Sequence, residues 1–241
     1  MIEIRQLRKS FGAVRAVRGV SFIAPDRSIT GLLGENGAGK TTTLALTCGV
    51  VPPDEGSIRV GPDSCTPIDT RRRIGALLDH KGLYDRLTAQ ENIEYFGRLH
   101  GMSGQTLAER VDVVLHEMGL QDVAHRRTGG FSQGERMKVA LGRAIVHSPG
   151  HLLLDEPTNG LDIPTVQALR GVLRRMRDQG VCIVFSSHVL EEVRALCDNV
   201  VIISRGRVVA DGDVAAICRR AGRATLEEAF VRLTGREELA S

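Results

Sequence analysis

Eight consecutive residues, Gly34-Glu35-Asn36-Gly37-Ala38-Gly39-Lys40-Thr41, carry the pattern G-x-x-x-x-G-K-[ST] without a mismatch. These residue types suit phosphate chemistry. Glycines let successive backbone N–H groups converge on phosphate oxygens, and a helix that starts there adds a favourable dipole. Lys40 then reaches the β- and γ-phosphates, and the Thr41 hydroxyl coordinates Mg²⁺. The same letters without context describe only a Gly-rich turn, so the flanking sequence decides. Ser28–Leu33 reads as a buried strand entering the turn, and Thr41–Cys48 supplies helix formers until Gly49 and Pro52–Pro53 end the run.

A second cluster lies at the end of another apolar run, Leu152-Leu153-Leu154-Asp155-Glu156. In a parallel α/β sheet the carboxyl edge of the strands is where ligands bind. Asp155 is placed there to hold Mg²⁺, often through water, and Glu156 to orient or deprotonate an attacking water. One strand along, Phe185-Ser186-Ser187-His188 puts His188 at the corresponding edge, within reach of a γ-phosphate. Each carboxylate or imidazole alone has an ordinary reading as a solvated strand end; together with the glycine loop they describe nucleoside triphosphate hydrolysis.

These residues need elements to position them. Ile2–Leu7 and Val17–Ile23 read as β-runs, with a turn at Pro25–Asp26 after the second, and Ser57–Val60 as a further strand before a polar loop that runs through Thr70. Between Leu87 and Val146 strand signals vanish and apolar residues recur at helical spacing, as in Val111, Val114, Leu115 and Met118, which predicts a mostly helical insertion. His151–Leu154, a helix near Pro164–Asp178 and Val181–Ser186 form a strand–helix–strand unit. Val200–Ser204 and Val208–Ala210 make a hairpin, and a polar helical tail begins at Asp213. The expected fold class is α/β: a P-loop NTPase with a mostly parallel core sheet, an N-terminal antiparallel β subdomain and a helical signature subdomain. The expected organisation is one domain over 1–241, with a nucleotide-binding core (1–86 and 151–215), an inserted helical subdomain (87–150) and a helical tail (216–241).

Composition narrows the partners. With 32 Lys+Arg against 29 Asp+Glu the net charge is +3, too mild to predict nucleic-acid binding, and aromatic residues make up only 3%, too few for a base-stacking platform. Cys48, Cys65, Cys182, Cys197 and Cys218 are odd in number and lack C-x-x-C spacing, which points to reduced thiols rather than a disulfide frame or zinc site. No run approaches the roughly 20 apolar residues of a membrane span, and the charged N-terminus lacks a signal-peptide core. The expectation is an intracellular chain.

At this point the chain resembles, across essentially its whole length, the ATP-binding subunits of ABC transporters. Walker A is Gly34–Thr41; Walker B is Leu152–Asp155 followed by Glu156. His188 resembles the H-loop switch, and Gly160-Leu161-Asp162 the D-loop. Phe131-Ser132-Gln133-Gly134-Glu135 stands in the place of the LSGGQ signature, with Phe131, Gln133 and Glu135 departing from it. The resemblance implies a catalytic set of Lys40, Glu156 and His188 and ATP with Mg²⁺ as ligands. It implies nucleotide contacts from Gly34, Glu35, Asn36, Gly37, Ala38, Gly39, Lys40, Thr41 and Thr42, with Phe11 stacked on adenine over Val17, and with Asp162. Ser132 and Gly134 would grip, in trans, the ATP held by a second subunit. The metal set would be Thr41, Asp155 and Asp79, the last standing where the family carries its Q-loop glutamine.

Gly82–Thr88, Tyr95–Gly101, Ser186–Val193 and Leu226–Gly235 are similar to segments of ABC-2-type exporter ATPases, sodium-exporter-type subunits in particular. That similarity implies a separate multi-spanning membrane subunit, reached through Asp79–Thr88 and the helical insertion. It also implies an ATP-dependent pair of ATPase subunits at the cytoplasmic face of the membrane, and no nucleic acid. The cargo would be Na⁺ or a drug or other small molecule. The alternative is a soluble ABC ATPase acting on ribosomes or DNA. Such proteins usually carry two cassettes or a long coiled coil, and neither is found here. A GTPase would need an Asn-Lys-x-Asp that does not occur, and a small-molecule kinase would leave the signature segment and His188 unexplained.

Overall fold

The structure, a computed structural model, describes residues 1–61, 71–78 and 82–235. Asp79 and Cys65 lie outside the described residues. An antiparallel sheet, in the order β2-β1-β4, is built from β1 (Ile2–Phe11), β2 (Val14–Ala24) and β4 (Glu55–Val60). In β1 the buried apolar residues are Ile2, Ile4 and Leu7, a spacing that breaks strict alternation. The break falls at Gln6, whose φ is 48°, where the pairing register with β2 shifts. This bulge keeps Leu7 inside.

The second sheet has six strands in the order β5-β6-β7-β3-β8-β9. They are β3 (Ile29–Leu33), β5 (Ile74–Leu77), β6 (His151–Asp155), β7 (Cys182–Ser187), β8 (Asn199–Ser204) and β9 (Arg207–Gly212). Pairing is parallel from β5 to β8 and antiparallel for the β8–β9 hairpin. All five residues of β3 and all six of β7 are buried, as expected for central strands covered on both faces. Register then sets the geometry of function. Leu33 is beside Ser187, and Asp155 is beside Ser186, so Gly34, Glu156 and His188 leave the sheet at one edge. The four-residue β5 was not anticipated; it is too short to show a period, and β6 rather than its own sequence holds it in place.

One face of this sheet packs on the β1–β2 layer and α1 (Lys40–Thr47), burying Leu44, Leu46, Val184 and Ile203. The other packs on α2 (Ala89–Leu99), α3 (Gly104–Met118), α4 (Gln133–Ile145) and α5 (Ile163–Asp178), where Val111, Val114, Leu115 and Met118 are buried at the helical spacing read from sequence. α6 (Leu190–Leu196), only seven residues long, follows β7. The tail, expected to be polar, forms α7 (Val214–Ala221) and α8 (Leu226–Thr234) with Ile217, Leu226, Ala229 and Phe230 buried, so each helix commits one apolar face to the core. Among the described residues no helix is long and apolar enough to cross a membrane. Cys48 and Cys182 are free and buried, which pushes both thiols up to about 12 and leaves them unreactive.

Candidate nucleotide-binding and hydrolysis site

The phosphate loop is tight against its surroundings. A Cβ on Gly34 would lie 2.4 Å from the Ile203 carbonyl oxygen, and one on Gly39 2.6 Å from that of Ala16. Gly39 also has φ 105° as the N-cap of α1, so no other residue fits both the conformation and the space. Lys40 is 5% exposed, and its ammonium is held in place by three contacts. It donates to the carbonyls of Gly34 (2.7 Å) and Glu35 (3.1 Å) and lies 3.2 Å from Glu156 Oε1.

Around the loop is a cavity of roughly 560 Å³, lined by Asn36, Gly37, Thr41, Thr42 and Glu156 among others. Arg15, Arg18, Lys40 and Arg205 also line it. Four cations beside a helix N-terminus are what a polyphosphate requires, and the residues present fit the nucleotide. Ala38 is buried beneath the loop. Val14 and Ala16 form the apolar wall, while Phe11 stands at the end of β1, half exposed, with the Lys9 ammonium 5.7 Å from its ring centre. Val17 is 2% exposed and packs into the core beneath that wall.

At the acidic edge, Ser186 ties two residues together. Its hydroxyl donates to Asp155 Oδ1 (2.5 Å) and accepts from the Glu156 N–H (3.0 Å). Glu156 has φ 47°, a left-handed conformation that non-glycine residues adopt at a cost of order 1 kcal/mol or more. The Ser186 bond supports that turn and aims the carboxylate into the cavity. Glu156 Oε1 faces Lys40, and Oε2 lies 2.8 Å from His188 Nδ1. The edge thus brings Lys40, Glu156 and His188 into one contact chain.

Mg²⁺ usually takes one or two protein oxygens and fills its octahedron with water and phosphate oxygens. The exposed Thr41 hydroxyl at the start of α1 and the Asp155 carboxylate at the end of β6 are oxygen donors of the type that ion takes, so the residue types present fit it. Among the described residues no cluster of three or more His, Cys, Asp or Glu offers a larger one.

The signature segment starts α4. The Ser132 hydroxyl accepts from the Glu135 N–H (3.2 Å), and Glu135 Oε2 accepts from the Ser132 N–H (2.8 Å). This capping box gives Glu135 a local reason to be acidic. Gln133 Nε2 donates to the Asn159 carbonyl (3.0 Å) and sits over Gly160, where a Cβ would meet it at 2.5 Å. Asp162 caps α5, accepting the Thr165 N–H at 2.9 Å, and its bonds to Thr165 hold its carboxyl below the usual range. Neither Ser132 nor Gly134 lines the cavity of its own phosphate loop.

Sequence reasoning missed the support around these groups. Ser186 and Ser187 were visible only as letters before His188, and Thr158 only as the residue after Pro157. Arg15, Arg18 and Arg205 arrive from the β1–β2 layer and the β8–β9 turn, through contacts that no local pattern encodes.

A parallel sheet whose central strand feeds a glycine-rich loop and a helix, with two carboxylates at the same edge, defines the P-loop nucleoside triphosphatase fold. Residues 17–159 match the family described as ABC transporter. The chain is 43% identical over 211 residues to the ABC transporter ATP-binding protein NatA of Bacillus subtilis, covering 86% of each chain. It is 37% identical to the Nod factor export ATP-binding protein I of Burkholderia lata, covering 88% of this chain and 70% of that one. Among solved structures, an ATP-binding subunit of an ABC transporter superposes with a TM-score of 0.88 at 29% identity, covering 97% of this chain and 99% of that one. A dimeric ATP-binding cassette bound to ADP and Pi shares the fold, with a TM-score of 0.79 at 24% identity over 88% of this chain and 98% of that one. The chain belongs to the ABC transporter family as an ATP-binding subunit, and its activity is ATP hydrolysis.

Proposed function

We propose that this chain drives an exporter whose membrane path is a separate subunit, through closure of two copies around two ATP molecules. The observation that carries the reading is the division of the site. Lys40, Glu156 and His188 meet at one edge of the sheet, whereas Ser132 and Gly134 present a capped helix start outside their own cavity, free to face another chain's nucleotide. ATP then acts as a population-shifting ligand, favouring the closed pair because both subunits contact it. The core of 1–86 and 151–215 holds the triphosphate, and the helical part, 87–150, brings the signature to the partner's site.

Within each site the chain's own residues perform definable tasks. The loop amides and Lys40 bind and orient the triphosphate. Thr41 and Asp155 would hold Mg²⁺, which would offset charge on the phosphate oxygens. Glu156 takes the proton of the attacking water or orients it, and His188 fixes the carboxylate through Oε2. Phe11 covers the adenine beside Val14 and Ala16.

The membrane subunit docks on the groove between the sheet edge and α2–α4. Tyr84, Tyr95 and Leu99 are exposed there, beside a cavity of roughly 280 Å³ lined by Val50, Phe96, His100, Arg143 and His147. The names of the relatives, which include a linearmycin resistance protein and a Nod factor exporter, support a small-molecule cargo, with Na⁺ the other candidate. The protein then resides at the cytoplasmic face of the membrane. Affinity purification from native cells in mild detergent tests the proposal: a multi-spanning protein without its own ATPase motifs should co-elute. Recovery with ribosomes or DNA instead would leave the ATPase standing and overturn the exporter.

A further inference from the structure

One residue of the Ser186–Val193 segment, outside the catalytic set, touches both loops that carry Glu156 and His188. Glu192 lies in the first turn of α6, and a single carboxylate oxygen, Oε2, accepts two hydroxyl hydrogen bonds. One comes from Thr158 Oγ1 (2.5 Å), two residues after Glu156; the other comes from Ser187 Oγ (3.0 Å), the residue before His188. Ser187 Oγ in turn accepts the Val189 N–H (3.0 Å), which fixes the backbone on both sides of His188. Thr158 is 8% exposed and Ser187 is fully buried, so neither hydroxyl can readily exchange this acceptor for water.

We infer that Glu192 is a positioning residue for hydrolysis, clamping the loop after Glu156 to the loop before His188. An acid in the first turn of a helix has an ordinary role against the helix dipole, and that role asks nothing of neighbouring loops. Glu192 instead reaches away from α6 to two hydroxyls that bracket the Glu156–His188 contact. Bonds to an ionised acceptor are short and strong, and one oxygen shared by two loops makes their positions interdependent. The clamp also opposes relaxation of the left-handed backbone at Glu156, since Thr158 lies within the turn that the Asn159 N–H closes on the Glu156 carbonyl (3.1 Å). Proper aim of the carboxylate matters more to rate than to binding, because a misplacement of about 1 Å costs on the order of 10²-fold.

The inference rests on the assignment of Glu156 and His188 to hydrolysis, and the test separates the two. Purified full-length Glu192→Ala, Glu192→Gln, Thr158→Val, the Glu192→Ala/Thr158→Val double variant and Glu156→Gln are compared by steady-state Mg-ATPase, binding of a fluorescent ATP analogue and thermal unfolding. Glu192→Ala should lower kcat by roughly 10- to 100-fold, with KM and analogue affinity within about 3-fold of the parent. Glu192→Gln keeps one acceptor oxygen and should recover part of the loss. Thr158→Val should add little to Glu192→Ala, because both break the same bond. Glu192→Ala with kcat within twofold of the parent, or independent multiplication of the two losses, would overturn the clamp. Losses that fall equally on kcat and affinity would assign Glu192 to scaffolding; should Glu192→Ala fail to fold, the same criteria apply to Glu192→Gln and Thr158→Val. Unchanged turnover in Glu156→Gln would sink the underlying assignment instead.

Discussion

Lys40 and Glu156 form an ion pair, with Nζ 3.2 Å from Oε1, that ties the glycine-rich loop to the end of β6. Lys40 is buried, and its remaining donors go to two loop carbonyls, so the ammonium is already desolvated and waiting for an anion. On the proposed function, an arriving phosphate replaces the carboxylate as partner, and Glu156 is left to His188 and to water. The pair keeps a buried charge compensated while it awaits substrate.

Glu156→Gln follows directly. The amide keeps the shape and a hydrogen bond to His188 but cannot take a proton, so ATP binding should persist while kcat falls by roughly 10²-fold or more. Single-turnover hydrolysis alongside nucleotide binding checks this. Hydrolysis at the parent rate would remove Glu156 from the role of base.

Lys40→Ala has a different signature. It removes the cation nearest the β- and γ-phosphates and leaves Glu156 facing them, so affinity should fall before any effect on chemistry is seen. A charge-assisted contact of this kind is worth about 1.5–3 kcal/mol, or roughly 10- to 150-fold in Kd. Titration with Mg-ATP gives the answer, and affinity equal to the parent's would exclude Lys40 from phosphate binding.

How much of this the sequence disclosed depends on whether the information was local. The glycine loop was legible because Gly34 and Gly39 answer a requirement of the backbone itself, and the helical segment because Val111, Val114, Leu115 and Met118 repeat with the period of a buried face. Asp155 and Glu156 were legible as a strand end. Ser186 was not, although it bonds to both, because its task exists only when β6 and β7 lie in register. β5 escaped for the same reason. Phe11 and Val17 came by resemblance alone. Glu135 stood in the sequence only as a departure from the signature, and the capping box with Ser132 accounts for it, because that bond exists only once the helix has formed.

That capping box gives a third test. Glu135→Ala should cost about 1 kcal/mol of stability by freeing the first turn of α4, whereas Glu135→Gln retains the acceptor and should cost less than about half of that. On the proposed trans contact, Glu135→Gln also removes a negative charge beside the partner's phosphate, so ATP-dependent pairing in a Glu156→Gln background should be at least as tight. Urea unfolding and size-exclusion chromatography with ATP read the two effects separately. Weaker pairing on loss of the charge would contradict the trans geometry.

His100 and His147 stack with ring centres 3.6 Å apart and planes within 3°, on the groove assigned to the membrane subunit. Burial pushes His147 down to about 4, with the neighbouring His100 and Arg110 acting in the same direction, and burial also lowers His100. The sign follows from proton counts. Between pH 4 and the ordinary value near 6.5, the unfolded chain binds protons that the folded chain refuses, so stability is full above about 6.5 and is lost as pH falls through that window. With partial exposure and solvent screening, the loss should be on the order of 1 kcal/mol. His147→Phe keeps a planar ring against His100 without a titrating group. Urea midpoints at pH 7.5 and pH 5.5 should therefore differ less for His147→Phe than for the parent. Equal differences in the two proteins would show that the acid sensitivity comes from elsewhere in the chain.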